Sequence, residues 1–371
     1  MKYIDEFQDK KIVSKIAGAI KEINPNEVNL MEVCGTHTMS IFKSGLKALL
    51  PASIHLISGP GCPVCVTAQS DIDQMIALAK IPNLILATFG DMLRVPGTKS
   101  SLEKERAQGY DIRIVYSPLD SLEIARENKN KEVVFLAVGF ETTSPAIAAV
   151  VSDAKKADLK NFSIYSSHKL VNPAIEALLN AQEIKLNGFI LPGHVSAIIG
   201  SHAYEFITKK YAIPCVISGF EPVDILESIL MLLKQIERKK PQVQIQYSRV
   251  VRPKGNLIAQ KILRKVFNTC GADWRGLGCI KDSGYTLNND YRAFDAKKKF
   301  DLKISGSKEI KNCLCGKVLR GVTAPPECKL FAKICTPENP YGPCMVSSEG
   351  TCAAWYKYGR HVTRSQEKNN N

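Results

Sequence analysis

No apolar run in the chain approaches the roughly 18 residues that a bilayer crossing needs. The amino-terminal stretch Met1-Lys-Tyr-Ile-Asp-Glu-Phe-Gln-Asp-Lys mixes charges of both signs around no apolar segment. Both absences point to a cytoplasmic protein with neither a secretory signal nor a membrane span. The phosphate-cradling sequence Gly-x-x-x-x-Gly-Lys-Ser/Thr is missing, and Gly59-Pro-Gly61 is not a dinucleotide fingerprint. Cys2His2 finger spacing and an RRM-type aromatic motif are missing too, so nucleic-acid binding rests on charge alone. Acids are in short supply, 36 Asp and Glu against 50 Lys and Arg, a formal charge of +14. That excess reads as a basic face docking an acidic partner.

What is present is a globular composition, 45% hydrophobic and 23% charged over 371 residues, which excludes disorder as the main state. A first helix is expected over Phe7 to Ile23, with Pro25 stopping it. Short β-branched runs then alternate with helical stretches. Val28-Val33, Ile54-Ser58, Leu84-Phe89, Ile112-Tyr116, Val133-Val138, Phe162-Tyr165, Gly188-Leu191 and Ile213-Ser218 read as strands. Ser70-Lys80 reads as one of the helices between them, with Ser70 as N-cap. The alternation predicts α/β architecture with parallel sheets. Eight strands fall into two sets of four, which suggests two consecutive Rossmann-like domains, residues 1–128 and 129–241, facing one cleft. From about Gln242 the alternation gives way to a basic amphipathic helix (Gly255 to Phe267) and then to Gly-, Pro- and Cys-rich sequence. Residues 242–371 are therefore expected to form an irregular third domain, ending in a polar tail from Thr363.

In open parallel sheets, ligands bind beyond the carboxyl ends of the strands. The chemically unusual segments fall there: Cys34-Gly-Thr-His37, Gly59-Pro-Gly-Cys62-Pro-Val-Cys65, Gly139-Phe-Glu141, Ser166-Ser-His168, Pro192-Gly-His194 and Ser218-Gly-Phe-Glu221. Cys62-x-x-Cys65 between a strand and a helix suits a dithiol that cycles with a disulfide and stores two electrons, since a helix N-terminus favours the thiolate. Half of a zinc site is the competing reading. Cys34 and His37 pair a soft thiolate with an imidazole, as metal ligands or as nucleophile and base. Glu141 and Glu221 read equally well as acids, bases or partner contacts and as helix-start carboxylates.

Twelve cysteines in a reducing compartment point to metal or redox use. Six lie near the carboxyl end, at 313, 315, 328, 335, 344 and 352. The last four are separated by six, eight and seven residues through Pro- and Gly-rich sequence, which fits a 4Fe-4S cluster better than zinc, whose ligands usually come in tight Cys-x-x-Cys pairs. Cys313 and Cys315 are a further redox or ligand pair, undecided between the two. Cys215 reads as a buried small hydrophobe, Cys270 and Cys279 as structural, and His55 as a satisfied core residue. His202 and His361 have no supporting context.

These motifs, with Pro192-Gly-His-Val-Ser196 and Cys344-Met-Val-Ser-Ser-Glu-Gly350, resemble the HypD family of nickel-iron hydrogenase maturation factors over nearly the whole chain. The resemblance implies a scaffold that works with a small partner, HypC, to hold the iron on which two cyanides and one carbon monoxide are assembled. It also implies a second partner, HypE, which delivers cyanide as an S-bound thiocyanate. On that reading Cys34 is an iron ligand shared with HypC, and His37 a second ligand or proton donor. Cys62 and Cys65 are then the redox pair, Cys328, Cys335, Cys344 and Cys352 the cluster ligands, and Glu141, His194 and Glu221 cleft or partner contacts. The alternatives are a zinc-stabilised thiol-disulfide oxidoreductase and a non-catalytic iron-holding scaffold.

Overall fold

A computed structural model describes residues 9–23, 26–302, 306–307 and 310–359. The expected polar tail, His361 and the first residues of the opening helix lie outside the described residues. All eight strands form: β1 (Val28–Glu32), β2 (Ile54–Ser58), β3 (Leu84–Thr88), β4 (Ile112–Ile114), β5 (Glu132–Ala137), β6 (Phe162–Ser166), β7 (Gly188–Pro192) and β8 (Cys215–Ser218). Around and between them run α1 (Lys10–Ile23), α2 (Gly35–Lys43), α3 (Pro63–Val66), α4 (Gln69–Ala79), α5 (Leu102–Ala107), α6 (Pro118–Glu127), α7 (Ser144–Lys156), α8 (Val171–Ala181), α9 (Gly193–Ile199), α10 (Glu205–Tyr211) and α11 (Pro222–Glu237). Local chemistry sets several of the starts. Ser117 and Asp120 close a capping box ahead of Pro118, and Glu221 and Asp224 do the same ahead of Pro222. The N-cap of α4 is Ala68 rather than Ser70: Thr67 is tied to Trp274 in a β-bridge and the chain enters the helix two residues earlier.

The α/β class with parallel sheets and a cysteine-rich carboxyl-terminal region holds, but the strands are not shared out consecutively. One sheet has the order β2-β1-β7-β8-β9, where β9 is Val243–Ile245, and the other has the order β4-β3-β5-β6. A boundary at 128/129 therefore cuts the second sheet between β4 and β5. The first sheet is built from both ends of the α/β region, with β3 to β6 inserted between β2 and β7. Alternation in sequence signals βα units; which strands pair depends on how the buried faces fit.

Side-chain alternation explains the layering. On β5, Val133 and Phe135 face one core with Ile147 and Val151 of α7, whereas Val134 and Leu136 face a second core shared by both sheets. On β7, Phe189 and Leu191 enter that shared core, and Ile190 turns to a third core with Ile225, Leu226 and Ile229 of α11. Helices α4, α8 and α10 contribute Met75, Ile175 and Ile207 to the shared layer. Both faces of each sheet are thus covered, which is why the strands read as continuous apolar runs. Cys215 is fully buried there, as expected. His55 is not a core residue: on the edge strand β2 it is exposed and paired with Glu27.

Residues 242–371 are less separate than expected. β9 completes the first sheet, and the amphipathic helix forms as α12 (Leu257–Val266). An antiparallel hairpin then follows, β10 (Phe267–Trp274) and β11 (Gly278–Leu287). Its alternation was hidden because most of one face is exposed and polar. Cys270 and Cys279 lie on this hairpin, Cys270 half-buried and Cys279 exposed, so neither is a core residue. Among the described residues the helices of the cysteine-rich end are short: α13 (Ala296–Phe300), α14 (Cys315–Leu319), α15 (Pro343–Val346) and α16 (Thr351–Tyr358).

Candidate functional site

In the first sheet β1 pairs with β2 on one side and β7 on the other, so the chain leaves the two carboxyl ends in opposite directions and a crevice opens between them. Cys34 follows β1 and caps α2; His194 follows β7 in the first turn of α9. The first turn of α2 carries His37, which is fully buried. Its Nε2 is 2.9 Å from the carbonyl oxygen of Gly219, so Nε2 holds the proton. Nδ1 is buried with no hydrogen-bond partner, which leaves its lone pair free. Phe220 is stacked between His37 (ring centroids 4.7 Å apart) and His194 (4.0 Å). Burial pushes both imidazoles down, His37 to about 4, so both are neutral at physiological pH.

Cys34 is enclosed by acids that the sequence reading passed over. Its amide donates to Glu32 Oε2 at 3.0 Å. Glu349, from the far end of the chain, accepts from Thr36 Oγ1 at 2.7 Å. Burial, then the Glu349 and Glu32 carboxylates, push the Cys34 thiol up to about 12, against the pull of the His37 and Thr36 amides. Burial raises Glu32 itself to about 8, opposed by the Thr38 hydroxyl and the Cys34 amide. The thiol is therefore held protonated until something cationic replaces the proton.

The neighbouring strand end supplies Cys62 and Cys65, joined in a disulfide. Cys62 caps α3, with Sγ accepting from the Cys65 amide at 3.1 Å, and Pro63 occupies the first helical position. This loop lies directly on the Cys34 loop: Gly35 donates to the Gly61 carbonyl at 2.9 Å. A Cβ on Gly35 would collide with Glu349 at 2.5 Å, so the carboxyl-terminal segment closes over the same spot.

The six carboxyl-terminal cysteines line one pocket. Thiol contacts run from Cys313 to Cys315, from Cys315 to Cys344 and from Cys344 to Cys352. Cys335 accepts from the Tyr341 amide at 3.3 Å, and Cys328 sits on the same wall. The pocket adjoins the disulfide: Cys65 Sγ is 3.9 Å from the carbonyl oxygen of Pro343, the residue before Cys344.

A family model described as "Hydrogenase formation hypA family", HypD, matches residues 9–359. The chain belongs to the HypD family. It is 45% identical over 369 residues to the hydrogenase maturation factor HypD of Azotobacter vinelandii, covering 97% of both chains. It is 42% identical over 366 residues to that of Escherichia coli, covering 96% of this chain and 98% of the other. The HypD of Rhodobacter capsulatus is 44% identical over 371 residues, with 97% and 98% covered. The family assignment makes the chain a hydrogenase maturation factor. No described helix is long and apolar enough to cross a membrane.

Within this HypD-family chain, His37 and His194 meet across Phe220 beside the Cys34 loop, the Cys62–Cys65 loop lies against that loop, and the four cysteines from 328 to 352 share their pocket with Cys313 and Cys315. Glu221 takes the N-cap position of α11, the helix-start role. Glu141 lies on the second sheet, its Oε1 accepting from the Val171 amide at 3.0 Å and its Oε2 buried without a partner. Burial raises it to about 7. Among the described residues no three His, Cys, Asp or Glu side chains are arranged around a single metal position. The pocket nevertheless offers six soft sulfur donors, three of them buried and three half-buried, a donor set suited to iron-sulfur ligation. Glu32 had a sequence signal, the one carboxylate in its strand, two residues before Cys34. Glu349 and Phe220 sit inside motifs already singled out, but nothing local ties residues so distant in sequence to Cys34.

Proposed function

We propose that this chain holds the iron of a nickel-iron hydrogenase centre while cyanide and carbon monoxide are placed on it, and that it supplies the electrons for cyanide transfer. Iron is cargo here. Cys34 binds it as thiolate, sharing it with a HypC partner, and the thiol proton is the one released on binding. The His37 Nδ1 lone pair is the second donor, oriented by the Nε2–H bond to the Gly219 carbonyl, which fixes the tautomer and the ring's direction. Phe220, backed by His194, stacks on that ring and covers its face.

The cyanide step balances on the Cys62–Cys65 pair. A protein-bound thiocyanate on a HypE partner and one dithiol give the partner's free thiol, one cyanide for the iron, one proton and the Cys62–Cys65 disulfide. The S–C bond breaks, and the two electrons come from the two thiols. The carboxyl-terminal pocket would hold a 4Fe-4S cluster, with Cys328, Cys335, Cys344 and Cys352 as ligands of first choice and Cys313 and Cys315 alongside; when bound, it supplies electrons one at a time for returning the disulfide to dithiol. The observation that carries the reading is the convergence of three sulfur centres from separate parts of the chain, linked by the Gly35–Gly61 and Cys65–Pro343 contacts.

The first test is iron, acid-labile sulfide and zinc content of anaerobically purified protein, with visible and EPR spectra. Near-stoichiometric 4Fe-4S is expected. Zinc without sulfide, even after cluster reconstitution, overturns the electron-supplying role. Cys34→Ala that still co-purifies with HypC and iron showing cyanide and carbonyl infrared bands overturns the ligand assignment. An unchanged maturation yield in Cys62→Ser does the same for the dithiol.

A further inference from the structure

Between Arg238 and Ala272 the chain carries nine Lys and Arg side chains and no Asp or Glu. Helix α12 lies in this stretch. Ala259, Leu263 and Val266 bury its inner face, and Lys261, Arg264 and Lys265 stand exposed on the outer one. None of those three cations is in an ion pair among the described residues. Beside them are aliphatic side chains in water: Ile258 is 83% exposed, Leu257 57% and Val250 45%. Solvated faces of folded proteins usually mix charges of both signs and leave such residues singly, so three cations outside any described ion pair beside exposed aliphatics need an explanation.

The patch is continuous with the Cys34 crevice. At its start, the Arg249 guanidinium lies 4.4 Å over the ring of Tyr247, and Tyr247 packs edge-on against Phe220 at 5.8 Å. At its other side, the Asn256 amide donates to the Ile198 carbonyl at 3.0 Å, as does Gln260 Nε2 at 2.8 Å. These bonds join α12 to the end of α9, whose first turn carries His194; seven helical residues span about 10 Å.

We propose that Val250, Leu257, Ile258, Lys261, Arg264 and Lys265 form the docking surface for an acidic protein segment bearing aliphatic anchor residues, which brings the docked protein to the mouth of the Cys34 crevice. Single-stranded nucleic acid suits the face less well, since it binds through aromatic stacking platforms and the exposed apolar groups here are aliphatic. A bilayer would need the apolar face of α12, which is already buried in the protein's own core. The proposal does not depend on the iron chemistry above, because it rests on charge, exposure and continuity with the crevice.

The test is binding of a labelled acidic peptide containing two leucines, at low salt, to the full-length metal-free protein. Controls are the same peptide with Leu replaced by Ser, a short single-stranded RNA, and phosphatidylserine vesicles. Lys261→Glu/Arg264→Glu/Lys265→Glu is expected to weaken the leucine peptide roughly tenfold or more, and Leu257→Ser/Ile258→Ser severalfold. The charge-matched control Lys10→Glu/Lys11→Glu/Lys15→Glu, on exposed α1 positions, is expected to change it by less than about twofold. Equal losses in the two triple variants overturn the proposal, because binding would then follow net charge alone. No preference for the leucine peptide, or tighter binding of RNA or vesicles through the same cations, overturns it too. None of these readouts involves iron or hydrogenase, so failure here leaves the proposed function standing, and the reverse.

Discussion

The Cys34 amide nitrogen lies where a side chain on Gly61 would have to go: a Cβ built there would be 2.1 Å from it and 2.4 Å from the Cys34 Cα. The loop carrying the dithiol and the loop carrying the proposed iron ligand are in backbone contact only because residue 61 has no side chain. Backbone cannot yield as a flexible side chain can. Gly61→Ala is therefore expected to cost roughly 2 kcal/mol or more in urea denaturation and to abolish maturation by parting the two loops. Wild-type stability together with wild-type maturation would show that the contact is dispensable.

Glu349 is the strongest charged influence raising the Cys34 thiol after burial itself. Removing that negative charge makes the thiolate easier to form. Glu349→Gln should shift the pH profile of Cys34 alkylation, followed on the Cys34 peptide by mass spectrometry, toward lower pH. A profile that stays in place would remove Glu349 from the electrostatics of the site.

Glu141 predicts a pH dependence of stability. In the folded protein burial holds it protonated up to about 7, whereas the unfolded chain releases the proton near the ordinary value of 4.5. Folding thus takes up a proton between those values, and stability falls as pH rises through that window. Glu141→Gln keeps the shape without the titration. Relative to that variant, the wild type should lose about 3 kcal/mol between pH 4.5 and 7, measured by denaturant unfolding across the range. A pH-independent difference between the two proteins would refute this.

Asp224 is buried with both carboxylate oxygens engaged by Arg249, at 2.8 and 2.6 Å, and Oδ1 also accepts from Gln246 at 2.8 Å. It also accepts from the Glu221 amide at the start of α11, behind Gly219 and Phe220. Asp224→Ala leaves these donors unsatisfied, at an expected cost of about 3 to 5 kcal/mol in equilibrium unfolding. A loss below 1 kcal/mol would mean that water replaces the carboxylate freely.

Cysteine-to-serine scanning of positions 313, 315, 328, 335, 344 and 352 should divide the six. Four variants are expected to lose the cluster absorbance and two to keep it, with Cys328, Cys335, Cys344 and Cys352 expected in the first group. Thiol contacts among 313, 315, 344 and 352 make those four the rival set. Loss of absorbance in none of the six would remove the cluster from this pocket.

The sequence by itself determined the elements and the parts. Apolar runs of four to six residues between turn signals marked β1 to β8, and the central strands, buried on both faces, needed no alternation. Cys34, Cys62 and Cys65 were legible as a group, since all three follow the ends of neighbouring predicted strands. The hairpin β10–β11 was not, because its exposed polar face erased the apolar run. Tertiary structure alone decided that β3 to β6 form a separate sheet inserted between β2 and β7. Strand pairing follows from how side chains interdigitate across a shared core, which local periodicity does not encode. That insertion creates the crevice between β1 and β7, where His194 meets the Cys34 loop from 160 residues away in sequence. It also brings Glu349 onto Gly35 and the six-cysteine pocket against the disulfide, contacts made only once the chain's far end folds back over α2 and α3.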